Sequence, residues 1–313
     1  MRALVVQRLY QVIPILFGLT VISFVLIHLT PGDPAVGLLA QKVTPQLIAQ
    51  TRHELGLDIP LWQQYLLFIW HVLQGNLGYS YRLHENVNVL VAFGLPVTLF
   101  LVVYASVLAL LIGLPLAVIA ANYRSRWPDQ LVRGGLVVTF SLPAFWVAVL
   151  LVGVALRLGG VLPSGGYGTD FVDHLWHLFL PALTLSLTFL VVLVRSLRAS
   201  LIEVADSDYI ALAKLKGIGR LRLLFNHSLR NAISPAITIL GLNMSYLLGA
   251  TVVVESVFGV NGLGNILLAG VLARDYQLVQ GVLLVFGLLV ILVNLGVDVA
   301  HAAIDPRYRS AAR

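Results

Sequence analysis

The sequence predicts an all-α membrane protein of six transmembrane helices with both ends on one side. Of its 313 residues 59% are apolar and only 11% charged, and the mean hydropathy is +0.92. A soluble domain carries about a quarter charged residues. Six apolar runs, at 9–29, 95–121, 134–156, 178–194, 236–257 and 279–303, have the length that the hydrocarbon core requires. Of the 20 Lys and Arg, 15 fall in segments 1–8, 122–133, 195–235 and 304–313, and 5 in the intervening segments. Because Lys and Arg accumulate on the cytoplasmic side, this split predicts cytoplasmic termini. The chain then divides into an N-terminal span (1–30), an extracytoplasmic segment (31–94), a five-helix core (95–303) containing the basic loop 195–235, and a cytoplasmic tail (304–313).

The first run is too long for a signal-peptide core and no small-residue cleavage site follows it, so it reads as a retained helix with Pro14 as a tolerated kink. Pro31-Gly32-Asp33-Pro34 opens the outer segment with a turn. Thr44 is placed to cap a helix over 45–55, with Pro45 at its first position and Gly56 as its stop. A second helix over 60–73 carries Trp62, Tyr65, Phe68 and Trp70. Aromatics at that density suit a membrane-interface layer; a small soluble core is the other reading.

The loop 195–235 holds seven basic residues and one short helix. Asp206 or Ser207 is placed to cap it, and Asp208 lies in its first turn. Lys214 and Lys216 suit the negative end of its dipole, and Gly217 stops it. Ala205, Tyr209 and Leu212 recur on one face with Ala213 beside them. Small residues on an exposed helix let another protein's surface approach closely. A membrane-surface helix touching anionic lipid is the alternative.

Several chemistries are excluded or weakened. No Gly-x-x-x-x-Gly-Lys-Ser/Thr loop is present to cradle ATP phosphates. Leu162-Pro163-Ser164-Gly165-Gly166 reads as an outer turn. The absence of Gly-x-Ser-x-Gly argues against a serine hydrolase, and the absence of cysteine excludes disulfides and thiolate sites. The net charge of +6 sits beside spans, so topology explains it better than nucleic acid does. His174 and His177, near Asp170 and Asp173, form a conceivable metal pair, with interface anchoring beside Trp176 as the plainer role. Glu255 and Asp298 are the carboxylates nearest to what a proton-coupled carrier would want, but both fall near span ends. The polar residues Asn243, Ser245 and Tyr246 of the fifth span either bond to a neighbouring helix or line a substrate path.

One stretch narrows these options. Glu203, Val204, Asp208, Tyr209, Ile210, Ala213, Lys216 and Gly217, followed by His227, Leu229, Arg230, Asn231, Ala232, Pro235 and Thr238, keep a fixed spacing. That run resembles the cytoplasmic coupling loop of permease subunits of bacterial ABC importers, in the dipeptide, oligopeptide and nickel branch. Leu29-Thr30-Pro31-Gly32-Asp33-Pro34, Leu180-Pro181-Ala182, Gly262-Leu263-Gly264 and Asp305-Pro306-Arg307 match the same branch. The resemblance covers essentially the whole chain. It implies a type I ABC-importer permease fold, with an extracytoplasmic segment between helices 1 and 2 and a coupling helix between helices 4 and 5. It also implies an inner-membrane subunit that is not an enzyme and holds no cofactor of its own. A second, homologous permease would complete the path. Two ATP-binding subunits would hold ATP and Mg, and an extracytoplasmic solute-binding protein would deliver the solute. Di- or oligopeptides are the expected cargo, with glutathione or nickel chelates as alternatives. Glu203, Asp206, Asp208, Tyr209, Ala213, Lys216 and Gly217 would transmit ATPase closure to the attached helices. The wider importer motif departs here: its Glu-Ala-Ala positions read Ala211-Leu212-Ala213, and its closing Leu-Pro reads Leu229-Arg230.

Overall fold

The computed structural model describes residues 2–29, 44–54, 56–80, 82–159, 161–223 and 230–304. The Pro31–Pro34 turn, Lys42, His227, Leu229 and the tail beyond residue 304 lie outside them. In chain order the elements are α1 (Arg2–Leu29), α2 (Pro45–Glu54), α3 (Leu61–Leu73), the strands β1 (Tyr79–Ser80) and β2 (Glu85–Asn86), α4 (Val87–Asn122), α5 (Trp127–Ser141), α6 (Ala144–Arg157) and α7 (Phe171–His177). Then follow α8 (Phe179–Ala205), α9 (Asp208–Leu215), α10 (Arg220–Leu223), α11 (Arg230–Val257), α12 (Leu263–Ala273) and α13 (Tyr276–Ile304). Among the described residues, α4, α8 and α13 are long and apolar enough to cross a membrane, and the bent pair α5 and α6 adds a fourth if it is one broken span.

α8 is the centre of the bundle. It packs along α4 and α11 and also touches α5 and α6, while α13 joins α11 to α1. Leu185, Leu193 and Val194 of α8 are fully buried with Leu101, Ala105 and Ala109 of α4. In the outer segment, the Thr44 hydroxyl accepts the Leu47 N–H at 3.2 Å, and Gly56, at φ 64°, ends α2. α3 lies against α1, where the Tyr65 hydroxyl meets that of Thr20 at 2.9 Å and Phe24 contacts Tyr65 and Phe68. Its other face leaves Trp62, Leu66, Trp70 and Leu73 exposed.

Two polar clasps hold the end of the bundle where α4 starts. Glu255, fully buried near the end of α11, accepts the Thr98 hydroxyl at 2.6 Å and the Asn265 N–H at 3.0 Å. Thr98 in turn accepts the Leu263 N–H at 2.8 Å. One carboxylate and one hydroxyl thus satisfy N–H groups that the first turn of α12 cannot pair internally. Gly264 is needed for this closeness, since a Cβ there would lie 2.6 Å from the Val252 backbone. The second clasp is made by Asp275. It accepts the Ser80 hydroxyl at 2.6 Å and, capping α13, the Leu278 N–H at 3.3 Å. The Tyr79 N–H adds a bond to Gln277 at 2.8 Å, so the two-stranded hairpin sits on the start of the last helix.

Three boundaries differ from expectation. α4 begins at Val87, ahead of the expected start at Leu95. Gly94 is not a break: its bare Cα faces Ile266 of α12, 2.7 Å from where a Cβ would stand. The run 134–156 is not one straight helix. α5 and α6 meet at 99°, with Leu142 extended at φ −95°, ψ 120° ahead of Pro143. Proline disfavours a helical residue before it and has no N–H to donate, so the Thr139 carbonyl is taken instead by the Leu142 N–H at 3.3 Å and the helix ends there. Finally, the first eleven residues of the loop 195–235 continue α8, because Leu197 and Leu201 keep facing the core while the charges occupy other faces. The sequence reading also missed α12, which it placed in the last outer loop.

Candidate functional site

The candidate site is the end of the bundle where α8 passes into α9. Asp206 ends α8, its N–H bonded to the Ile202 carbonyl at 3.0 Å. The Ser207 carbonyl starts α9 by accepting from Ile210 at 3.1 Å and Ala211 at 3.2 Å. Neither expected side chain caps α9. The Ser207 hydroxyl donates back to the Val204 carbonyl, and Asp206 accepts Arg124 Nη1 at 2.9 Å. The other end is stopped by Gly217 at φ 76°, with the Ile218 N–H reaching the Ala213 carbonyl at 3.2 Å. That six-to-one bond and the left-handed glycine make a Schellman stop, and Ile218 packs on the cluster that includes Ala213, as such stops favour.

The faces of α9 follow from this seating. Ile210 (0% exposed) and Ala213 (8%) turn inward against Leu223 of α10, with Val204 and Ile218 beside them. Tyr209, Leu212 and Leu215 point outward at 44%, 58% and 84% exposure, and Asp208 and Lys216 are exposed too. Ala213 therefore does not offer a small outward surface; its small size lets α9 settle on α10. The outward face is larger and more apolar than expected. Glu203 lies on the last turns of α8, exposed.

A second set of residues, not singled out from the sequence, grips this junction. Asp129, in the first turn of α5, is fully buried. Arg198 of α8 donates to both of its oxygens, Nε to Oδ1 at 2.8 Å and Nη2 to Oδ2 at 2.7 Å. The Ser125 N–H adds a third bond at 2.9 Å from the α4–α5 turn, where Ser125 takes a left-handed φ of 63°. A two-pronged guanidinium–carboxylate pair is among the strongest and most directional of side-chain contacts. Its signal in the sequence was one acid, Asp129, amid Arg124, Arg126 and Arg133.

The remaining candidates separate. The Asn243 amide donates to the Ile239 carbonyl at 2.7 Å, and Asn294 donates to the Ser245 hydroxyl at 3.2 Å, which ties α11 to α13. Tyr246 is 64% exposed on α11. His174 meets the Tyr167 carbonyl at 2.8 Å and stacks on that ring at 3.8 Å, while His177 meets the Asp173 carbonyl at 3.0 Å. Among the described residues no group of three or more His, Cys, Asp or Glu is placed to hold a metal.

A helical bundle with three apolar spans, or four if the bent pair is one span, and with a short two-faced helix displayed at one end, defines a membrane-embedded protein. The comparisons agree. Residues 113–310 match the family described as the binding-protein-dependent transport system inner membrane component, and residues 1–102 match its N-terminal region. The glutathione transport system permease protein GsiC of Escherichia coli strain K12 is 39% identical over 305 residues, 97% of this chain and 98% of its own. GsiC of Salmonella typhimurium strain LT2 has the same identity and coverage. In fold, the chain is similar to one from inward-facing conformations of the MetNI methionine ABC transporter. The TM-score is 0.58 at 18% identity, over 69% of this chain and 96% of that one. The chain belongs to the binding-protein-dependent transport system inner membrane components. It is a permease subunit of an ABC importer, and ATP hydrolysis resides in separate ATP-binding subunits.

Proposed function

We propose that this permease imports a small peptide, with glutathione or a closely related γ- or α-linked peptide as the solute. The observation that carries the solute class is the 39% identity to a glutathione permease along nearly the full length of both chains. α1 and α11, 28 residues each, are the two further spans, which brings the total to six. The N-terminal span (1–30), the outer segment (31 to about 86), the core and the tail then form an inner-membrane subunit with cytoplasmic ends. A second, homologous permease encloses the path, and Tyr246 is the path residue that the exposure of α11 favours. ATP and Mg belong to the ATP-binding subunits, and an extracytoplasmic binding protein delivers the solute.

In this reading α9 is the coupling helix. Tyr209, Leu212 and Leu215 are its apolar contact to an ATP-binding subunit, with Asp208 and Lys216 at its rim and Gly217 fixing its length. Glu203 and Asp206 lie where α8 receives the push. Burial of exposed Leu side chains stabilises an interface by about 25 cal/mol per Å² of apolar surface, so one charge within the stripe weakens the dock. Leu212→Asp is expected to release the ATP-binding subunits from the purified complex and to abolish uptake of radiolabelled glutathione. Full retention and full uptake in that variant rule out α9 as the dock. Uptake of neither glutathione nor dipeptides by the wild-type complex rules out the solute class.

A further inference from the structure

The two ion pairs beside α9 join elements far apart in the chain. Arg198 and Asp206 lie on α8 and at its end; their partners Asp129 and Arg124 lie in the first turn of α5 and in the α4–α5 turn. The inner pair is two-pronged and its carboxylate is buried; the outer pair is exposed, at 57% and 66% of the two side chains. Between them α4 and α8 enclose a small crevice lined by Val118, Ala121, Leu201 and Ala205. α5 itself is loosely held: among its residues only Asp129 and Leu136 are buried. At its far end it meets α6 at the 99° bend.

We infer that Asp129 and Arg124 are positioning residues that bind the α4–α5 corner to the end of α8, so that the corner travels with α9 and α5 swings about Leu142–Pro143. The inference rests on the coupling role proposed for α9. Three observations support it. The turn that ends α4 lies beside the α8–α9 junction, where Arg124 meets Asp206 at 2.9 Å. The strongest side-chain contact at that end of the bundle, among the described residues, joins α5 to α8 and not α5 to α4. And α5 has few other buried contacts to resist being pulled. Displacement of α9 would then reach the bent pair α5–α6 directly, as well as along α8. The buried Asp129–Arg198 pair keeps the corner seated, and the exposed Arg124–Asp206 pair sets the angle of the hinge residue.

The test uses the full complex in proteoliposomes and reads ATP hydrolysed per solute imported. The chain has no native cysteine, so paired cysteines can be placed without background. Arg124→Cys combined with Asp206→Cys removes the exposed pair without touching the core. This variant should keep its ATP-binding subunits and raise the ratio about threefold or more, the range expected for coupling contacts. Bridging the two thiols with a short bifunctional maleimide should bring the ratio back to within about twofold of wild type. Asp129→Asn should raise the ratio likewise, with partial recovery in Asp129→Glu. An unchanged ratio in the unbridged double-cysteine variant overturns the inference, and so does a bridge that halts import. Leu212→Asp separates the two claims. If it releases the ATP-binding subunits while the double-cysteine variant stays fully coupled, the corner plays no part and the α9 reading stands. If Leu212→Asp releases nothing, both fall.

Discussion

Asp129 is a carboxylate that solvent does not reach. Its charge is tolerable because Arg198 and the Ser125 N–H occupy both oxygens. Removing one member of such a pair leaves the other stranded, which costs about 3–5 kcal/mol in buried sites. Arg198 keeps 22% of its side chain exposed, so the loss should fall near the lower end of that range. Asp129→Ala is therefore expected to lower the thermal unfolding midpoint in detergent, and Asp129→Leu combined with Arg198→Leu to lower it less. Equal losses would mean that the pair itself, not the stranded charge, carries the stability. Glu255 follows the same logic with different partners: its carboxylate is satisfied by a hydroxyl and by N–H groups of a helix start. Its place near a span end already weakened a role in proton transfer, and the geometry of Glu255 fits the shaping of a turn.

Prolines show which helices could be read in advance and which could not. Pro14, Pro96 and Pro115 lie inside α1 and α4, which run through them, whereas Pro143 separates two helices. The residue type is the same, and the outcome depends on packing. Pro96 and Pro115 sit in a helix clamped along its length by α8, and the poorly buried α5 has no such splint. The helix α2, its Thr44 cap and its Gly56 stop were legible because local chemistry alone sets them. Gly217 was legible for the same reason, and it supports a direct test. A residue with a Cβ is strained at φ 76°, by about 1 kcal/mol. Gly217→Ala should loosen the Schellman stop and speed amide hydrogen exchange in α9 while α8 stays protected. Exchange in α9 at the wild-type rate would show that its seating on Leu223, not the stop, fixes its end. Which face of α9 points outward was not legible, because Ala213 and Leu212 differ only in whether α10 lies beneath them, and α10 follows the turn.

Taken whole, the bundle places the α2–α3 segment, the hairpin and α12 at one end and α9 at the other. The apolar runs located the long helices α4, α8 and α13 in advance, whereas α12 and the hairpin were not expected. The pairing of helices was beyond those runs, since lipid and a neighbouring helix both accept an apolar face. A chain without cysteine makes sidedness measurable. Tyr209→Cys and Arg82→Cys, labelled separately in intact spheroplasts with a membrane-impermeant maleimide, should differ. The second should react at once and the first only after the membrane is opened. Reaction of both from outside would refute cytoplasmic placement of α9. The same pair of probes distinguishes the membrane-surface alternative for α9, because a helix docked on a partner gains protection when the ATP-binding subunits are added and a helix lying on lipid does not.

The hairpin on the last helix has a consequence for biosynthesis. Ser80 finds its acceptor on Asp275, 195 residues further along the chain. While a ribosome is still translating the middle of the message, that strand pair has only the start of α4 to rest on, where Asn88 accepts the Leu77 N–H at 2.9 Å. The seating of the hairpin therefore waits for the final segment to emerge. A nascent chain released before Asp275 should expose the hairpin to surveillance proteases, which makes this contact a marker of completed synthesis.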